Sequence, residues 1–215
     1  MIADVIDFLP VLLSGLATTV LLTMCALLIS MVVGLFWALM GRSRLAPLRW
    51  ISHTVVAVVR GIPIIVQLFY IYFVLPDLGV SLNAFLAGSV GLGLAYSVYQ
   101  AENFRAGFDA VDPNLIEAAQ SLGMSEALIM RRIMLPLAVR IALPPFGNTA
   151  VMLLKDSSIA STITVAELTR AGQLLAISTF KNMSVYTIVA ILYLLLSLPL
   201  TLGIRLLERR RTRHD

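Results

Sequence analysis

Residues 112–136 read DPNLIEAAQSLGMSEALIMRRIMLP. Glu117-Ala118-Ala119, Gly123, Ile133 and the pair Leu135-Pro136 punctuate a chain that is otherwise mostly apolar. Asp112-Pro113 predicts a helix start: the carboxylate can take up free N–H groups, and proline at the first helical position gives up no needed donor. Gly123 predicts the stop. The helix between is about 10 residues long, or about 15 Å. Leu115, Ala118, Ala119 and Leu122 recur at i, i+3, i+4 and i+7 and so define one face, with Glu117, Gln120 and Ser121 on the other side. Ser125 predicts the cap of a second helix, from Glu126 to about Leu135, which Pro136 turns into the next apolar run. So short a helix is marginal alone in water and has to pack on something. Two readings stay open on pattern alone: a plug packed on this chain's own spans, or a helix docked in the groove of a partner.

The rest of the chain sets the context. Of its 215 residues 59% are hydrophobic and only 13% charged, with a mean hydropathy of +0.93. A soluble domain carries about 25% charged residues, so the composition predicts an integral membrane protein, folded as a single domain over residues 1–215. The lone Cys25 sits in the first apolar run and reads as a small buried hydrophobe. His53 and His214 are far apart and lack Cys or carboxylate neighbours at ligand spacing, so no metal site is expected. The net charge of +4 resides largely in arginines beside apolar runs, where it sets topology and is no sign of nucleic-acid binding. The N-terminus opens with Asp4 and Asp7, and its apolar run is too long for a secretory signal, so it is expected to remain as a span.

Five spans of about 20 residues fit the pattern: 11–40, 54–75 closed by Pro76, 85–104, 139–154 and 185–207. Arg42, Arg44, Arg49, Arg105, Arg131, Arg132, Arg140, Arg205, Arg209, Arg210, Arg211 and Arg213 fall on one side, against Lys155, Arg170 and Lys181 on the other. Twelve against three puts the N-terminus outside, the C-terminus inside and the Glu117 segment in the cytoplasm. The expected fold is an all-α membrane protein of five transmembrane helices, with a cytoplasmic helix between spans three and four.

Glu117-Ala118-Ala119, three residues, Gly123, nine residues, Ile133, one residue and Leu135-Pro136 resemble, in residues and spacing, the signature of ABC importer permeases. Further segments are similar to the polar amino acid branch, of the histidine/glutamine/arginine type. They are Arg60-Gly61-Ile62-Pro63 with 67–73 (QLFYIYF), 99–107 (YQAENFRAG), and 154–161 (LKDSSIAS) followed by Glu167-Leu168-Thr169-Arg170. Ser158-Ile159 and Asn103 are small departures from the usual pattern of that branch. The resemblance implies that the 113–122 helix is a coupling helix, with Glu117, Ala118, Ala119, Gly123, Leu115 and Leu122 meeting a cleft in a cytoplasmic ABC ATPase dimer. It also implies a bacterial inner-membrane location and a pathway shared with a second permease, identical or related. Transport of an amino acid by alternating access completes that expectation.

Individual polar residues carry alternative readings. Arg60, Gly61 and Pro63 predict a broken or kinked helix with an interfacial charge. Glu102 and Arg105 can pair at i, i+3. Asp156 either forms an ion pair with Lys155 and caps the 157–163 segment, or lines the substrate path and receives the ammonium of an amino acid. Asn148, Thr149 and Met152 are expected to share a face below it, with Gln67 and Tyr70 facing them across a cavity. Each of these could equally be a helix–helix hydrogen bond. Pro144-Pro145 and Pro199 are candidate kinks.

A P-loop needs Gly-Lys-Ser/Thr, but Lys155 follows Leu154 and Lys181 follows Phe180. The chain is therefore expected to bind no cofactor, with ATP and Mg held by the partner ATPase. The 156–184 loop can touch an extracytoplasmic solute-binding protein but is too small to trap a ligand. An ATP-independent channel or ion-coupled carrier would need mid-span carboxylates, which are missing, and a membrane enzyme would need a nucleophile–base set or metal ligands.

Overall fold

The computed structural model describes residues 2–211, with side chains from Ile6 to Leu206. Arg213 and His214 lie outside the described residues, as do the side chains of Asp4, Arg209, Arg210 and Arg211. All regular structure among the described residues is helical: α1 (Ile2–Gly41), α2 (Ala46–Gly61), α3 (Ile64–Phe69), α4 (Ala84–Asp109), α5 (Pro113–Ser121), α6 (Glu126–Ile129), α7 (Leu135–Asp156), α8 (Leu168–Thr179) and α9 (Asn182–Arg211).

Among the described residues, three stretches are long and apolar enough by themselves to cross a membrane: Ile6–Gly41, Glu126–Ile163 and Asn182–Leu206. A bent pair, Ala46–Gly61 with Ile64–Leu78, makes a fourth if it is one span. α4 falls outside that set although its 26 residues reach about 39 Å. The reason is its position. α4 lies in the middle, flanked by α1, α3 and α7, and buries Gly88, Ser89, Gly91, Gly93, Ser97 and Gly107. Small residues there let backbones approach: a methyl group on Gly107 would sit 2.5 Å from the Ala138 carbonyl oxygen of α7. On the other flank, a methyl on Gly34 of α1 would sit 2.6 Å from Gln100 Cβ. A helix wrapped by protein does not need leucine on every face.

The break expected at Gly61 and Pro63 is present, and the bounds 54–75 are corrected. α2 begins at Ala46, ends at Gly61 and meets the Ile64–Leu78 stretch at 101°. Pro63 is the cause, since it lacks the N–H that would continue the ladder. Gly61 has open space around it and is not forced by packing. Gln67 repairs the break: its Nε2 donates to the Val59 carbonyl at 2.9 Å and the Ile62 carbonyl at 2.8 Å. Beyond α3 the chain passes through a π-helical turn, Tyr70–Val74, and a 3-10 turn, Leu75–Leu78, so Pro76 does not end the element. Gly79 does, at φ +85°.

The expected turn at Pro136 is corrected as well. α6 runs through a π-helical turn, Met130–Met134, directly into α7. Leu135 N–H donates to the Met130 carbonyl five residues back. The wide turn resets the ladder just before Pro136, whose missing donor then falls at the start of α7. α7 also continues through Pro144 and Pro145. Ser125 precedes α6 without a side-chain cap.

Candidate functional site: an uncovered helix and a buried polar seam

At one end of the bundle α5 is built as its residues predict. Asp112 accepts the Asn114 N–H at 2.9 Å. Gly123 stands at φ +73°, a left-handed conformation that costs glycine nothing. Its N–H donates to Gln120 O at 2.9 Å and Met124 N–H reaches back to Ala119 O at 3.1 Å, so the last carbonyls are satisfied and the helix ends sharply.

The face expected from Leu115, Ala118, Ala119 and Leu122 is divided. Ala119 is buried, and with half-buried Ile116 it packs on Val111, Met124, Ile129 and Met134. Leu115 (48% exposed), Ala118 and Leu122 (82%) are turned outward beside exposed Glu117. The reason is curvature: i and i+4 point about 40° apart on a helix, and a nine-residue cylinder rests on its own chain along a narrow line. Self-packing and an open apolar stripe therefore coexist.

Two arginine contacts tie this end together. Arg42 pairs with Asp109 at 2.6 Å and lies over the Phe108 ring at 5.4 Å. Arg44 pairs with Glu126. The sequence shows these arginines only as topology signals; their carboxylates lie 67 and 82 positions away, beyond any local spacing rule. The nearer pair, Glu102 with Arg105, forms as its spacing predicts.

The interior polar residues are regrouped. Asp156 makes no cap and, among the described residues, no ion pair with Lys155. The backbone continues through Asp156 in helical conformation into the 3-10 turn Ser157–Ile163, so no free N–H group is presented to it. Instead, the Tyr96 hydroxyl of α4 donates to Asp156 Oδ2 at 2.6 Å. Tyr96 is almost fully buried and Asp156 half-buried.

Thr149 is buried and separated from Asn148 and Met152, both exposed on another face of α7. Neighbours on a helix point about 100° apart, which is why the expected common face fails. Thr149 Oγ1 donates to Pro145 O at 2.9 Å and accepts from Asn103 Nδ2 at 3.0 Å. Asn103 also donates to Gln100 Oε1 at 3.0 Å. Gln100 is fully buried, and its Nε2 has no partner among the described residues. Gln67 and exposed Tyr70 line a cavity of about 340 Å³ with Ile62, Val66, Ile71 and Leu94; none of Asn148, Thr149, Met152 or Asp156 lines it. The expected facing arrangement is therefore not the one observed.

Glu167 escaped a local reading. It is fully buried before α8 and accepts the N–H groups of Thr169 at 2.9 Å and Arg170 at 2.7 Å. The Tyr193 hydroxyl of α9 donates to it at 2.9 Å. Burial pushes its carboxyl above the ordinary carboxylate range, with the two N–H groups and the hydroxyl pulling the other way. Beside it, Leu168 N–H donates to Thr19 Oγ1 of α1 at 3.0 Å, so this junction fastens α1, α8 and α9. The signal available was a carboxylate directly before a helical pattern, a capping position.

Comparison with known proteins agrees with this architecture. Residues 30–213 match the family described as the binding-protein-dependent transport system inner membrane component. The probable glutamine ABC transporter permease protein GlnM of Bacillus subtilis is 37% identical over 196 residues, 91% of each chain. The L-cystine transport system permease protein TcyB of the same organism is 34% identical, covering 97% of this chain and 89% of the relative. Among solved structures, one described as an amino acid ABC transporter with histidines superposes with a TM-score of 0.89 at 38% identity, over 97% of each chain. The family match spans most of the chain, and the residues of the punctuated stretch 112–136 lie inside it: this chain belongs to the binding-protein-dependent transport system inner membrane components.

Proposed function

We propose that the chain is the transmembrane subunit of an ATP-driven amino acid importer. It forms half of the translocation pathway and couples it to a cytoplasmic ATPase by alternating access. One observation carries the coupling role: α5 is anchored through Ile116 and Ala119 yet leaves Leu115, Ala118 and Leu122 uncovered beside Glu117. A rigid, well-capped helix with an open apolar stripe transmits force to whatever grips it. Membership of the family and the names of the relatives support the importer role and its cargo class.

In this reading the bilayer is crossed five times, by α1, the Ile64–Leu78 stretch beyond the bend, α4, α7 and α9. The N-terminus is outside and the C-terminus and α5 are cytoplasmic, as the arginine distribution favours. The two ATPase subunits hold ATP and Mg; their closure draws the paired coupling helices together and rocks the spans between outward- and inward-facing states. A second permease completes the pathway, and an extracytoplasmic solute-binding protein delivers the cargo. Asp156, held by Tyr96, receives the ammonium of the amino acid. Asn148 and Met152 lie on the open face of α7, where the pathway would be completed, and Gln67 and Tyr70 line a side cavity of it.

Reconstitution in proteoliposomes tests the assignment. The permeases assembled with ATPase and binding protein should accumulate amino acid only with ATP inside. Uptake by the permeases alone, without ATPase, would instead establish an ATP-independent carrier.

A further inference from the structure

We propose that α2 is an interfacial helix that binds anionic phospholipid headgroups through a row of basic side chains. It is set at 101° to the Ile64–Leu78 stretch, so the two cannot both lie along the bilayer normal. It starts five residues after α1 ends, at the same end of the bundle as the Arg42–Asp109 pair.

Its three faces have separate chemistries. Ser52 and Val56 are buried: Ser52 Oγ donates to the Trp37 carbonyl of α1 at 2.8 Å, and Val56 packs on Val98 and Ala101 of α4. Trp50, Ile51 and Val58 are exposed and apolar, on another face. Arg49, His53 and Arg60, at i, i+4 and i+11, form a row along a third edge, and all three are exposed. Arg60, at the far end, lies over the Tyr99 ring at 5.5 Å. No acidic residue occurs in the helix. A soluble partner would have to cover bare tryptophan and isoleucine, whereas an in-plane helix puts them into the acyl boundary and its cations at the phosphates. The absence of carboxylates selects an anionic headgroup over a zwitterionic one.

The test uses the assembled transporter in nanodiscs of phosphatidylcholine and phosphatidylglycerol. In a Cys25→Ala background, a nitroxide is attached in turn to Ile51→Cys and His53→Cys. Its relaxation by oxygen, which enters acyl chains, is compared with that by a water-borne nickel chelate. Oxygen should dominate at position 51 and the chelate at position 53. Access by neither at position 51 means the face is covered by protein, such as the second permease; chelate access at both means it faces water. Either result overturns the proposal.

Retained lipid is then measured by mass spectrometry. Arg49→Gln should lower phosphatidylglycerol enrichment about fivefold, the loss of one basic contact with an anionic surface. Unchanged enrichment overturns the headgroup contact. Neither readout involves transport, so failure here is separate from failure of the importer role.

Discussion

Tyr96 on α4 donates its hydroxyl hydrogen to Asp156 at the end of α7, 2.6 Å away. The bond holds between two helices a carboxylate for which the sequence alone leaves a cap and the substrate path both open. A buried tyrosine with its hydroxyl on a carboxylate fixes where the negative charge sits. Asp156→Asn removes that charge while keeping an acceptor for Tyr96. Uptake in proteoliposomes should fall by tenfold or more, on the order of the 1.4 kcal/mol or greater worth of a charge-assisted contact, with assembly intact. Equal uptake kinetics in the two proteins would leave Asp156 a purely structural role. Tyr96→Phe should lower thermal stability by roughly 0.6 to 2 kcal/mol, the range for interhelical hydrogen bonds in membranes.

Leu122 is far more exposed than Leu115 on the α5 stripe and contributes little to this chain's own core. Leu122→Glu should therefore leave insertion unchanged and weaken ATPase binding by about 2 kcal/mol, roughly 30-fold, as for an apolar anchor at an interface. Co-purification of the ATPase checks this directly. Glu117→Ala and Gly123→Ala should uncouple ATP hydrolysis from uptake; the glycine change forces a β-carbon into a left-handed conformation at roughly 1–2 kcal/mol. Coupled transport at the normal ratio in both would remove α5 from the coupling path.

Gln67 supplies both hydrogens that satisfy the carbonyls freed at the Gly61–Pro63 break. Gln67→Leu strands the Ile62 carbonyl and should cost about 1–3 kcal/mol of stability. Gln67→Glu, which cannot donate, should be no better. Thermal unfolding of the detergent-solubilised protein measures both, and an unchanged midpoint would show that water or lipid replaces the amide.

Glu167 predicts a pH slope. Burial holds its carboxyl above the ordinary range, so the folded state binds the proton more tightly than the unfolded chain. Stability linked to this group is full in acid, below the unfolded carboxyl's pKa, and is lost as pH rises through the raised folded value. Glu167→Gln should flatten the fall in unfolding temperature across that interval. Parallel curves for the two proteins would show that the N–H and hydroxyl donors cancel the burial effect.

Much of this protein was legible before any coordinates. Long apolar runs dictate membrane helices because lipid leaves backbone groups no other partners. Asp112, Pro113 and Gly123 specify the start and end of α5 because capping is a matter of a few adjacent atoms. The Glu102–Arg105 pair follows from helical spacing alone. The resemblance carried by residues 112–136 pointed to the family that the comparisons show.

Contacts distant in sequence were decided only by the tertiary structure. Local rules do not encode which face of a helix meets a neighbour. Hence Thr149 separated from Asn148 and Met152, and Ala119 turned inward while Leu122 stayed open. Proline's meaning also depended on context: Pro63 produced a 101° break, whereas Pro136 was absorbed by a π-helical turn and Pro144-Pro145 by α7. Asp156 found Tyr96, and Glu167 found Tyr193, because packing of α4 on α7 and of α8 on α9 brought them together. Sequence by itself determined the helical membrane class, the ends of α5 and the family; the packing of small residues around α4 decided which polar groups meet, since a backbone approach of a few ångströms selects the partners.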